Sequence, residues 1–171
     1  MRIRPAEIDE LHVLQGIERA AGECFREIGM PEIADDAPLP VEILGEYRDA
    51  GRAWVAADEA GHPVAYMLMD LVDNNIHIEQ VSVNPHYAHR RIGRSLIDHA
   101  SGLAADMNFP ALTLTTFRDV PWNKPYYERC GFRCLGDDEL TPGLRAVRER
   151  EAQHGLDRWP RVSMRRELRT S

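Results

Sequence analysis

The chain has 171 residues, the size of one domain, so residues 1–171 are expected to fold around a single hydrophobic core. Hydrophobic residues make up 43% of the sequence and charged residues 29%, with a formal net charge of -7 at pH 7. This composition is typical of a soluble globular protein and argues against a nucleic-acid partner held by backbone electrostatics. The expected partner is a small molecule or a peptide.

The cysteines and the N-terminal segment indicate the compartment. Three cysteines, Cys24, Cys130 and Cys134, cannot all pair, and their spacing matches no common zinc framework. We therefore expect reduced thiols and no metal. The first residues contain no apolar run of signal-peptide length, and no run reaches the roughly 18 apolar residues of a membrane span. A cytoplasmic protein with no membrane partner is predicted.

The first third of the sequence predicts a strand and two helices. Residues 1–6 alternate in hydrophobicity, which is typical of a strand. Apolar residues recur at helical spacing over 11–28 and predict one long helix that stops at Gly29. Residues 29–40 contain three prolines without periodicity and are predicted to form a loop, and a shorter helix follows over 41–51.

The middle of the sequence predicts an antiparallel meander followed by a helix. Three β-prone runs, at 52–58, 64–73 and 76–83, are joined by short polar connections. Residues 92–107 then place their apolar side chains on one helical stripe, which Pro110 ends. That stripe requires a helix packed against the sheet.

The last third alternates strands with helical or looped stretches. These are predicted at 111–117, 123–130, 132–136, 143–155 and 157–168. Asn123 is a plausible cap for the short helix and Gly131 its stop. The final strand is expected to pair with the strand before it. The predicted fold is therefore α+β, with a mixed, mostly antiparallel sheet of six or seven strands flanked by about four helices.

A basic loop follows the third strand of the meander. The sequence "NPHYAHRRIG" opens a helix, so the peptide N–H groups from about Ala88 to Arg94 have no partner inside the helix. The positive end of the helix dipole, with Arg90, Arg91 and Arg94, favours a diphosphate at this position. An ordinary solvated, basic helix start is the alternative interpretation.

The strand before this loop carries two titratable residues. His77, Glu79, Val81 and Val83 share one face by the two-residue period of a strand. A polar side chain among hydrophobic ones needs a partner or a purpose, and burial raises the pKa of a carboxyl and lowers that of an imidazole, so both groups could be poised for proton removal. Either residue could act as a base, although an exposed strand face would explain both without any chemistry.

Three motifs together resemble the GCN5-related N-acetyltransferase (GNAT) family. They are "SVNP" at the strand end, "AHRRIG" in the loop, and Asn123 followed by "YERCGF" at 127–132. The resemblance covers residues 52–135 in motif detail. Two loop positions depart from the family pattern: Ala88 stands where glutamine or arginine is common, and Arg91 stands where the first glycine is common.

The resemblance implies acetyl-CoA as co-substrate, with no metal. Its pantetheine arm would pair with the strand edge, its pyrophosphate would lie on the loop, and the Val81 N–H would polarise the thioester carbonyl. The implied cofactor-binding residues are Val81, Ser82, Val83, Ala88, His89, Arg90, Arg91, Ile92, Gly93, Arg94 and Asn123.

The implied reaction is direct attack of an amine on the thioester in a ternary complex. Tyr127 matches the family tyrosine that protonates the leaving thiolate, and Glu79 is the first candidate base, with His77 second. The expected acceptor is a primary amine of a small cationic molecule or peptide, and a homodimer is possible. Two alternatives stay open: a non-catalytic acyl-CoA-binding or regulatory domain, and a protein-modifying acetyltransferase.

The region around the second helix suits a cationic acceptor. Between Glu23 and Asp49 there are eight acidic residues against only Arg26 and Arg48. An acidic surface of this kind favours a cation by electrostatics. A solvated surface that keeps the protein in solution is the other explanation.

Overall fold

The structure, a computed structural model, describes residues 1–168. Within them the strands are β1 Arg2–Pro5, β2 Ala53–Ala57, β3 Pro63–Val72, β4 Asn75–Val83, β5 Ala111–Phe117, β6 Arg133–Cys134 and β7 Arg161–Glu167. The helices are α1 Leu11–Gly22, α2 Pro31–Ala34, α3 Val41–Asp49, α4 Ile92–Asp106, α5 Lys124–Arg129 and α6 Pro142–Gln153. The α+β class is therefore confirmed.

The strands follow the order β1-β2-β3-β4-β5-β7-β6. β4 and β5 pair in parallel, whereas the β1–β2, β2–β3, β5–β7 and β6–β7 pairs are antiparallel. This confirms the predicted mixed, mostly antiparallel sheet and the pairing of the final strand with β6. β7 pairs with β5 along its whole length, so it separates β5 from β6.

The chain divides into two compact units. The first comprises Met1–Met69 and Gln80–His99, and the second comprises Asp70–Glu79 with the chain from Ala100 onward. Strands β3 and β4 and helix α4 each contribute residues to both units. The chain length predicts that residues 1–171 form a single domain, and this stays a prediction.

The core of the first unit lies between its helices and strands. It contains Ala6, Leu11, Leu14, Ile17, Leu44, Ala53, Val55, Tyr66 and Leu68. The α1 members recur every three or four residues and the β2 members every two, as one buried face of a helix and of a strand requires. The predicted apolar stripe of α1 is therefore the side that it buries.

The prediction of one long helix over 11–28 is wrong for the second half of that range. The α-helix ends at Gly22, and a 3-10 helix, Glu23–Ile28, continues to Gly29 in the left-handed region (φ 78°). Glycine weakens a helix interior, and 3-10 turns are frequent at helix ends. The predicted loop after it also contains the short α2, because a proline is well tolerated at a first helical position.

A two-residue turn joins β3 to β4 in the second unit. Asp73 and Asn74 both have positive φ, 52° and 60°, as a type I′ turn requires. Asp73 Oδ2 also accepts the Gly143 N–H at 2.8 Å, in the first turn of α6. The hairpin therefore has a fixed register, and its tip is bonded to α6.

The negative charge of a carboxylate near the start of α1 is fully compensated by hydrogen-bond donors. Glu10 accepts two hydrogen bonds from the Arg4 guanidinium, at 2.6 and 3.0 Å, and a third from the Glu7 N–H at 2.8 Å. Burial alone would raise the pKa of Glu10, but these donors outweigh it and hold the pKa below its usual range. The charged form of Glu10 is therefore the stable one.

Replacing Glu10 with Gln should lower the free energy of unfolding at pH 7 by about 2 kcal/mol, since hydrogen bonds to charged groups are lost. Because the folded pKa is depressed, this contribution is present above the unfolded value of about 4.3 and is lost as pH falls through the folded pKa. Urea unfolding at pH 7 and pH 3 measures both states. An equal difference at the two pH values would contradict this account.

Candidate active site

The loop after β4 begins with a tight turn that is held by hydrogen bonds between its own residues. The Asn84 side chain accepts the His86 N–H at 3.0 Å, and a 3-10 turn covers Pro85–Tyr87. The Ala88 N–H donates to the Pro85 carbonyl at 3.1 Å. The predicted run of outward N–H groups therefore cannot include that of Ala88.

Two of the next three residues have an unusual backbone. His89 and Arg91 both lie in the left-handed region, with φ of 64° and 60°. This conformation costs a non-glycine residue about 1–2 kcal/mol, so the surrounding structure must hold it. Arg91 occupies the position where the family pattern has a glycine and adopts the backbone that a glycine adopts without cost.

Helix α4 starts directly after this backbone. Ile92 and Gly93 are buried, whereas Arg90, Arg91 and Arg94 are exposed. The N–H groups of the first helical turn have no partner in the helix and lie at the positive end of its dipole. Left-handed residues between other conformations form the concave N–H arrangement that binds anions. The loop thus has the backbone and the charge of a phosphate site.

His77 lies inside the second unit. Its ring is 1% exposed, and its Nδ1 is 2.9 Å from Thr113 Oγ1 on the neighbouring strand. Burial lowers the pKa of His77 to about 4, so the ring is neutral at pH 7. Its polar partner is internal, which weakens the case for His77 as a base.

Glu79, unlike His77, is not enclosed by the protein. The residue keeps an exposed surface, but the protein around its carboxyl and the hydrogen-bonded, like-charged Asp70 raise its pKa to about 7. Glu151 adds to this increase and Arg150 opposes it. A carboxylate with a pKa near neutrality and contact with solvent can take up a proton during a reaction.

Asp70 and Glu151 both raise the pKa of Glu79, and the sequence analysis identified neither of them. Asp70 interrupts an otherwise apolar run in β3, and that interruption was the available signal. Glu151 is inconspicuous in the alternating charges of α6, yet it accepts hydrogen bonds from Thr115 and from Arg161. The Arg161 side chain is only 8% exposed, so this is a largely buried ion pair.

Tyr127 is partly buried on α5. Its ring packs edge-on against Tyr126 and Phe132, with centroids 5.3 and 5.9 Å away. Burial raises the pKa of Tyr127 to about 12, so the phenol keeps its proton at neutral pH. It is therefore available as a proton donor.

Asn123 precedes α5 as predicted, but not with the predicted bond. Its carbonyl accepts the Tyr127 N–H at 2.9 Å, while its side chain makes no capping hydrogen bond. The predicted side-chain cap is wrong because the backbone of Asn123, at φ -110° and ψ -98°, lies outside the usual capping conformation. Helix capping by the side chain therefore does not explain why an asparagine occupies position 123.

The parallel ladder of β4 is short. It consists of the pairs Ile76↔Leu112 and His77↔Thr113. The strand continues past His77 without β5 partners for Ile78 and Glu79. Further along β4, Ser82 is buried and its hydroxyl accepts a hydrogen bond from Gln80 at 3.0 Å. The Ser82 side chain is thus bonded to its own strand.

Two further observations concern the described residues, 1–168. No group of three or more His, Cys, Asp or Glu side chains there is placed to hold a metal ion, and none of the three cysteines forms a disulfide. None of the helices over the same residues is long and apolar enough to cross a membrane.

Comparison with known proteins gives the family. The family model described as the acetyltransferase (GNAT) family matches residues 14–132, which is more than half of the chain. The chain therefore belongs to the acetyltransferase (GNAT) family. The resemblance of the strand, loop and tyrosine motifs is confirmed at the level of the family.

Two curated relatives and one solved structure show the range of similarity. The peptidyl-lysine N-acetyltransferases YjaB of Salmonella typhimurium and Escherichia coli are 25% and 28% identical over 99 residues, 58% of this chain. The matches span only 62% and 61% of those relatives' own lengths. The PaiA N-acetyltransferase from Thermoplasma acidophilum, solved with coenzyme A, has a TM-score of 0.70 at 14% identity, covering 97% of this chain and 98% of its own. That likeness establishes the fold.

The left-handed backbone at Arg91 gives a test of the loop. Arg91→Asn and Arg91→Val remove the same charge, but asparagine tolerates positive φ and a β-branched residue does not. We expect Arg91→Val to lower the free energy of unfolding by about 1–2 kcal/mol more than Arg91→Asn. Urea unfolding of the two variants measures this difference, and equal stabilities would exclude strain at this position.

Proposed function

We propose that the chain is an acetyl-CoA-dependent N-acetyltransferase that acts on a primary amine of a small cationic molecule or a peptide. The observation that carries the proposal is the loop before α4, where left-handed His89 and Arg91 precede a helix start flanked by exposed arginines. Such an arrangement suits the pyrophosphate of CoA. Membership in the family supplies the class of cofactor.

We assign the cofactor grip mainly to main-chain groups. In this proposal the N–H groups at the start of α4 and the guanidinium groups of Arg90, Arg91 and Arg94 bind the pyrophosphate. The edge of β4 from Val81 to Val83 pairs with the pantetheine arm, as an extended ligand adds to a strand. The internal bond of the Ser82 side chain supports a main-chain role for that residue.

In the proposed reaction the acceptor nitrogen forms a bond to the thioester carbon and the carbon–sulfur bond breaks. The amine proton passes to Glu79, directly or through water, and the CoA thiolate takes a proton from Tyr127. Glu79 is preferred to His77 because its pKa lies near 7 and it reaches solvent, whereas the His77 ring is enclosed. The raised pKa of Tyr127 keeps the phenol protonated for its role.

A lysine side chain in a peptide is the acceptor that we favour. The two curated relatives are named peptidyl-lysine N-acetyltransferases. In this chain both arginines of the acidic segment are already paired, Arg26 with Glu23 and Asp35, and Arg48 with Asp49. The remaining acids leave the segment with a negative charge that suits a cationic peptide.

Tyr127→Phe tests the activity and the role of the phenol together. We expect the wild-type chain to acetylate a Gly-Lys-Gly amide in the presence of acetyl-CoA, with the product identified by mass spectrometry. The variant should lose about a hundredfold in kcat, as removal of a general acid does. Its acetyl-CoA affinity, measured by calorimetry, should stay within about twofold because only the proton donor is lost.

Tyr126→Phe is the matched control, since it removes the neighbouring hydroxyl from the same helix. Acetyl-CoA binding without transfer to the peptide or to spermidine would favour a non-catalytic acyl-CoA-binding domain. Absence of binding at millimolar acetyl-CoA would reject the proposal.

The pH dependence of kcat tests the base. With a folded pKa of about 7, Glu79 is protonated and inactive below that value and deprotonated above it. The rate should therefore rise with pH and bend near pH 7. Glu79→Gln should remove the bend and leave a slower rate that follows only the ionisation of the acceptor amine. A bend that persists in the variant would assign it to another group.

A further inference from the structure

Helix α1 carries a carboxylate on the side that it buries. Glu18 follows the fully buried Leu14 by four residues, which places both on one helix face. Glu18 itself is half-buried, so the residue is not fully enclosed by the protein. An acidic residue at such a position needs compensation from its surroundings.

The hydrogen bonds to Glu18 give only part of that compensation. Its Oε2 accepts the Leu39 N–H at 3.3 Å and the Tyr66 hydroxyl at 3.5 Å. Both distances exceed the usual lengths of such bonds, about 2.9 Å and 2.8 Å. The Gln80 side chain is a further hydrogen-bond partner. These are neutral groups, and Tyr66 is itself completely buried.

No cation compensates the charge from within the described part of the chain. Glu18 forms no ion pair there, and the nearby charged group that acts on it is the acidic Asp36. Burial raises the pKa of Glu18, and Asp36 raises it further against the effect of the hydrogen bonds. The site therefore has a negative potential that a positive ligand would relieve.

Glu10 shows what the same chain does with a structural carboxylate. It lies eight residues earlier in the same unit, and Arg4 binds both of its oxygens. Glu10 and Glu18 are both partly enclosed by protein, but among residues 1–168 only Glu10 is paired with a cationic side chain. A partly buried carboxylate that has no cation lowers the stability of the fold, and such a cost is typical of a residue kept for binding.

We propose that Glu18 binds a cationic group of the acceptor, an ammonium or guanidinium, with Tyr66, Gln80 and the Leu39 N–H holding the carboxylate in place. The inference rests on the proposed function only in naming the cation as part of the acceptor. Gln80 connects this position to β4, the strand to which we assign the pantetheine arm. Glu18 is thus a specificity-determining residue.

Carboxyl ¹³C NMR of the full chain, labelled at glutamate, tests the binding without any acetyl transfer. The probes are spermidine, n-butylamine and a Gly-Lys-Gly amide, and butan-1-ol serves as the neutral analogue. At least one cationic probe should lower the pKa of Glu18, while butan-1-ol should leave it unchanged. If no cationic probe shifts the Glu18 titration, the proposal is overturned.

Three glutamine variants separate binding from folding. Glu18→Gln should weaken binding of the cationic probe at least tenfold while its thermal midpoint at pH 8 equals or exceeds that of the wild type. Glu10→Gln should lower the midpoint, and Glu59→Gln, at an exposed position in the same unit, should change neither property. A Glu18→Gln variant that unfolds like Glu10→Gln and still binds the probe would make Glu18 structural.

The two proposals fail differently. Probe binding at Glu18 without any acetylation would reject the transferase and keep the cation site. Acetylation by Glu18→Gln with an unchanged KM for the peptide would reject the cation site and keep the transferase.

Discussion

The short ladder between β4 and β5 is the constraint on which the candidate site depends. Two residue pairs hold the strands in parallel, and the ladder ends at His77. Before that point the side chains of β4 are enclosed, and His77 is bonded to Thr113. After it the strand carries Glu79, then the backbone assigned to the pantetheine arm, then the loop that starts α4. One strand therefore supplies both core residues and candidate binding groups because its pairing stops partway.

Partly buried carboxylates divide into two kinds in this protein. Glu10 and Glu151 each have an arginine, and they tie elements together: Glu10 binds the β1 arginine, and Glu151 binds one from β7. Glu18 and Glu79 have no such ion pair within residues 1–168, and the pKa of each is raised. Arginines of the fold thus compensate the charges of Glu10 and Glu151, whereas we propose roles in ligand binding or proton transfer for Glu18 and Glu79.

Much of the fold could be predicted because its elements are coded locally. Alternation predicted β1, β-prone runs predicted β2 to β4, and an apolar helical stripe predicted α4. The interruption of the first helix at Gly22 could not be predicted with equal ease, because the apolar spacing continues into the 3-10 helix. The position of β7 between β5 and β6 is a long-range pairing that no local pattern contains.

The parts of the candidate site that belong to a sequence motif could be predicted. The parts that depend on contacts between distant residues were harder to predict. The loop and Tyr127 were singled out because their motifs resemble those of the family. The left-handed φ of Arg91 does not follow from a motif, since arginine has no preference for it. The surroundings of Asp70, Glu151 and Glu18 depend on neighbours from distant parts of the sequence, which no local pattern contains.

The bond between the hairpin tip and α6 restricts how this protein can diverge. A Cβ at Gly143 would lie 2.5 Å from Asp73 Oδ2 and 2.6 Å from a Val72 methyl group, so any side chain there would have to displace these groups. The turn cannot gain a residue without moving the acceptor of the Gly143 N–H away from α6. The β3–β4 turn and the first turn of α6 are therefore structurally coupled, although 70 residues separate them in sequence.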